Sequence, residues 1–127
     1  MENQKSALGL DGNVTALIGY IIGIVALILI FIEKDNKFVR FHAFQSVLYT
    51  VGFVVVYIVA MIVITIITVV LGAMSDILGL IGSLLYLLLF VVWLAWLVGL
   101  IFAAVKAFGG NMFKLPIVGN MAEKWSS

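Results

Sequence analysis

No cysteine occurs in this chain, which removes disulfides, thiolate metal sites, iron–sulfur ligation and thiol nucleophiles from consideration. There is a single histidine, so neither an HExxH zinc pair nor a bis-histidine haem can form. A phosphate-binding glycine loop is also missing, and no carboxylate pair is placed for acid–base work. These gaps predict a protein that is not an enzyme and that carries no cofactor and no metal. Charge is scarce as well: 10% of the residues are charged, where soluble domains average roughly 25%. With 65% apolar residues and a mean hydropathy of +1.32, water is not the main solvent. The net charge of +1, with no basic cluster interleaved with aromatics, points away from nucleic acid.

What the chain does have is long apolar runs. Val14 to Ile32 holds no charge over about 19 residues, close to the roughly 30 Å hydrocarbon core at 1.5 Å per residue. It reads as a first span, since Met1 to Asn13 lacks the basic region of a cleaved signal peptide. Asp11 and Asn13 fit N-capping roles at its start. Phe41 to Ser75 is also free of charge and, wholly helical, would run roughly 52 Å, too long for one upright span. Its polar front (His42, Gln45, Ser46, Tyr49, Thr50) predicts an interfacial amphipathic segment over 36–49 that turns into a span over about 47–71. Gly72 to Ser83 reads as a turn or a short re-entrant half-helix, and a third span follows over about 84–105, stopped by Lys106.

The expected fold is thus an all-α integral membrane protein. It forms one membrane domain over 1–127, with three transmembrane helices (14–32, 47–71, 84–105), a cytoplasmic loop over 33–46 and a cytoplasmic tail over 106–127. Three spans place Lys34, Lys37, Arg40, Lys106, Lys114 and Lys124 on one side and Lys5 on the other. The positive-inside rule then puts the C-terminus in the cytoplasm and the N-terminus outside the cell membrane.

Small residues recur every fourth position at Thr15, Gly19 and Gly23 in the first span, and at Ala95, Gly99 and Ala103 in the third. In lipid such faces let helices approach closely, so they are the expected packing surfaces, within one chain or between copies. The remaining candidate site lies on the cytoplasmic side. There Lys37, Phe38, Arg40, Phe41, His42 and Gln45 are predicted to pack with Phe113, Lys114, Leu115 and Pro116 into a platform that is either a cap for the fold or a docking face. Lys34, Lys37 and Arg40 would sit near lipid phosphates.

LDGNVTALIGY (10–20), EKDNKFVRFHAFQS (33–46) and KAFGGNMFKLPIVGNMAEKW (106–125), arranged around apolar spans, resemble the Tic-like family of small prokaryotic membrane proteins. That family is related to a chloroplast inner-envelope import component. The resemblance implies a translocation-related membrane complex and supplies no catalytic residues. The expected function is a non-enzymatic subunit or assembly partner of a larger membrane complex, in contact with the lipid bilayer and with other membrane subunits or with itself. The alternative is an oligomeric pore or transporter for small solutes or peptides, lined by Tyr49, Thr50, Tyr57, Thr65 and Thr68.

Overall fold

A computed structural model describes residues 4–127. Its helices are α1 (Gly12–Ile21), α2 (Gly23–Ile32), α3 (Lys37–Met74), α4 (Asp76–Leu84), α5 (Tyr86–Phe108) and α6 (Val118–Ser126). Contacts divide the chain into two compact units, one reaching to Val51 and resuming at Val98, the other Gly52–Leu97.

In the first unit, the apolar run over 14–32 is not one helix. Ile22 leaves the helical region (φ −115°, ψ 95°), and the chain doubles back. A Cβ built on Gly19 of α1 would lie 3.7 Å from Ala26 Cβ and 3.8 Å from a Leu29 methyl of α2, ordinary contact distances between packed helices. The outer ends of the hairpin also meet: Ala7 N–H donates to the Glu33 carboxylate at 2.8 Å, and Asn36 Nδ2 donates to the Gln4 carbonyl at 2.8 Å. Each arm is 10 residues, about 15 Å long, half of what a crossing requires. The expectation of three spans is corrected accordingly, because the first is a hairpin whose two ends return to one place.

Asn36 starts α3, its side chain accepting from Val39 N–H at 3.2 Å as an N-cap does. The helix then runs 38 residues without a break, about 57 Å. Its first ten residues are buried at Phe38, Val39, Phe41, His42, Ala43, Gln45 and Ser46, and none beyond is. The expected surface segment that turns into a span is therefore corrected: the polar strip continues straight into the helix, covered by protein. At the other end of this unit, Ala103, Ala104 and Ala107 of α5 are buried, and the Tyr49 ring occupies the space a side chain would need at Gly99.

The second unit is a helical pair. Ser75 breaks α3 from α4, and its Oγ caps α4 by accepting from Leu78 N–H at 3.1 Å. This settles the 72–83 stretch as the end of α3 followed by a short helix. The chain returns along α3: Gly79 faces Gly72, Gly82 faces Thr68, Thr65 and Tyr86 hydroxyls lie 2.6 Å apart, and Trp96 stacks on Phe53 with centroids 5.0 Å apart. Among the described residues, two helical stretches are long and apolar enough to cross a membrane, Lys37–Met74 and Asp76–Phe108. None of the most apolar part of α3 is buried, as the core helix of a soluble protein would be.

Candidate functional site

The polar side chains of the first unit converge on His42. Its Nε2 lies 3.0 Å from the Asn111 carbonyl, an acceptor only, so this nitrogen carries the proton and Nδ1 is left to accept. The Tyr20 hydroxyl fills that role from 2.6 Å. Gln45 completes the network: its amide N–H groups donate to Tyr20 Oη at 2.7 Å and to the Phe113 carbonyl at 2.9 Å, while its oxygen accepts from Leu115 N–H at 2.8 Å. Every donor in this set meets an acceptor, which is the condition under which a buried network rigidifies a fold instead of weakening it. Phe38, Phe41 and Tyr20 stand edge-on around the imidazole with centroids 4.5, 4.9 and 5.3 Å away.

The tail reaches this network because α5 ends in a tight motif. Asn111 N–H bonds the Lys106 carbonyl and Gly110 N–H bonds the Ala107 carbonyl, with Gly110 at φ 84°, the left-handed conformation that favours glycine. Residues 111–115 then pass along His42 and Gln45. Pro116 and Ile117 reverse the chain in a three-residue turn, with Val118 N–H bonding the Pro116 carbonyl at 2.7 Å and Ile117 at φ 68°. Gly119 follows, buried so tightly that a Cβ there would meet Lys114 and the Gln45 oxygen. No helix past Pro116 was expected in the tail, yet α6 forms and its last turn is held to α3. Arg40 Nε donates to the Ser126 carbonyl at 3.1 Å, and Nη1 donates to the carbonyls of Glu33 (2.7 Å) and Ile30 (3.4 Å) at the C-terminal end of α2. A cation at that helix end also complements its dipole.

The structure brings Phe38, Arg40, Phe41, His42, Gln45, Phe113 and Leu115 together. Lys37, Lys114 and Pro116 are exposed, with Lys114 paired to Glu123 at 2.7 Å. Of the small-residue stripes, Thr15 and Gly19 are buried, but Gly19 packs on α2 and not on a third span. Gly23 lies past the break, with open space around it; Ala95 is exposed and Ala103 buried. Sequence reasoning missed Tyr20, Glu33 and Asn36. The signal for Tyr20 was a lone phenol inside an otherwise apolar run, and a buried phenol seeks a partner.

Exposed apolar helices in one unit, and a polar network edged by charge in the other, define a small integral membrane protein. Residues 5–122 match the family model for MamF/MmsF, the magnetosome magnetite crystal formation protein family, and the chain belongs to that family. It is also similar to a UPF0132 membrane protein of Methanocaldococcus jannaschii, 33% identical over 123 residues that cover 96% of this chain and 94% of that protein. No solved structure matches the chain. These findings overturn the resemblance to the Tic-like family, and the translocation role it implied falls with it. Much of what carried that resemblance in EKDNKFVRFHAFQS and FKLPIVG is the set of residues that closes the network just described.

Proposed function

We propose that the chain is a non-catalytic membrane component that assembles with other membrane proteins or with its own copies, both termini facing the cytoplasm. The observation that carries this reading is the use made of its polar groups. Among the described residues, all eight buried polar or charged ones (Ser6, Thr15, Glu33, Asn36, His42, Gln45, Ser46 and Ser126) are hydrogen-bonded inside the first unit, most of them to backbone. Groups so engaged hold a fold together and are not poised to act on a substrate.

Orientation follows from charge. With the first apolar run returning to its starting side and two crossings after it, Lys5 joins the other six basic residues on one side, and Asp76 is the charge left on the other. A seven-to-none bias supports a cytoplasmic placement of that side more strongly than the six-to-one count of three spans. The family description concerns magnetite crystal formation. Among the described residues no three His, Cys, Asp or Glu side chains gather where they could hold a metal ion, so any such part for this chain would run through its membrane and protein contacts. The pore reading loses support because Thr65 is bonded to Tyr86 and Tyr57 packs on Phe53.

Photo-crosslinkers at Val59, Val63 and Phe90, all exposed apolar positions, test the assembly. Discrete protein adducts in native membranes are expected. Adducts to lipid alone at every position would overturn it.

A further inference from the structure

The α1–α2 hairpin has polar ends and an apolar tip. Asp11 and Asn13 stand at its start and Glu33, Lys34 and Asp35 at its finish, while the tip is Ile21, Ile22, Gly23 and Ile24, with the isoleucines 68%, 48% and 67% exposed. Charged ends belong at the headgroups, and an isoleucine tip belongs in hydrocarbon. Arms of about 15 Å therefore carry the tip to the middle of a core about 30 Å thick, and no further. The outward positions Leu27, Ile28, Phe31 and Ile32 are exposed and apolar, as lipid contact requires.

The hairpin is also braced. Ser46 Oγ donates to the Gly19 carbonyl at 3.0 Å, and Tyr20 is held by His42 and Gln45. Straightening into a span or lifting onto the surface would break these bonds together. The hairpin is thus a fixed inclusion, and two helices about 10 Å wide occupy roughly 160 Å² of a single leaflet.

We propose that this hairpin acts as a one-leaflet wedge, directing the protein to bilayers that bulge towards its basic side and producing such curvature at high density. The partner is the lipid surface itself. Inserted area on one side only is accommodated at lower cost where that leaflet is convex, and Lys34 and Lys37 at the mouth of the hairpin hold it at phosphate depth.

The test uses the full chain reconstituted into vesicles, where both orientations occur. Ser127→Cys is labelled from outside with an impermeant dye, and a second dye added after detergent reports the inward-facing molecules. Protein per lipid is then compared between small sonicated and large extruded vesicles. Molecules with the basic side outward should be enriched several-fold in the small vesicles and inward ones depleted. Equal densities for both orientations, or equal enrichment of both, would overturn the wedge. Because sidedness is read in the vesicle, the result is independent of how the chain faces in the cell and of what it assembles with.

Discussion

Replacing Gln45 by leucine should destabilise the protein by roughly 3 to 5 kcal/mol, a large share of the total for a domain of this size. Shape is nearly preserved, so the cost comes from the groups left behind. Leu115 N–H loses its acceptor and Tyr20 loses one of its two partners, both buried, and the half-buried Phe113 carbonyl loses its donor. Each buried group without a partner costs about 1–3 kcal/mol. The tail should loosen before the helices melt, since Gln45 holds both Phe113 and Leu115. The expected signs are a lower melting temperature in detergent and early proteolytic cleavage within 109–117. An unchanged melting curve with the tail still protected would show that the network is incidental to stability.

The second large effect is expected in the other unit, at Gly79. A Cβ there would lie 2.9 Å from the Gly72 Cα, a backbone atom that no rotamer change can move. Gly79→Leu should push α4 away from α3 and cost about 3 kcal/mol, the upper part of the range for overpacking. Gly52→Ala is the matching control, because nothing lies within 4 Å of its Cβ position. In a helix interior it should be neutral or stabilising by up to about 1 kcal/mol. Melting of the two variants side by side decides the matter: if Gly79→Leu tracks Gly52→Ala, the close approach of α3 and α4 does not hold the second unit together.

The glycines at 72, 79 and 82 show what can and cannot be read from a sequence like this one. They look like breakers, since glycine between apolar runs usually marks a turn, yet the close contacts at all three are packing contacts between α3 and α4. The membrane class, the end of the third apolar helix near Lys106 and the meeting of 37–46 with 111–115 were legible from hydropathy, charge and aromatic spacing. The hairpin was not. Ile21-Ile22-Gly23 contains no proline and no charge, and a 19-residue apolar run is the ordinary signature of a span. What bends it is tertiary: Tyr20 and Ser46 find their hydrogen-bond partners across α1 and α3 only when the first apolar run folds back. The same blindness applied to the start of α3. Its polar strip suggested a segment lying on the surface, because the sequence does not show that α6 and the tail will cover it.

The central claim is that the first apolar run turns back, leaving both termini on one side of the membrane. Cysteine labelling tests this most directly, since the chain has no cysteine of its own. Single cysteines at Gln4, Asp76 and Ser127, all exposed, are treated in intact cells with an impermeant maleimide. The two-crossing arrangement predicts labelling at Asp76→Cys alone, with Gln4→Cys and Ser127→Cys reacting only after lysis. Labelling of Gln4→Cys in intact cells while Ser127→Cys stays protected would mean that the first run crosses after all, and the hairpin account would be wrong.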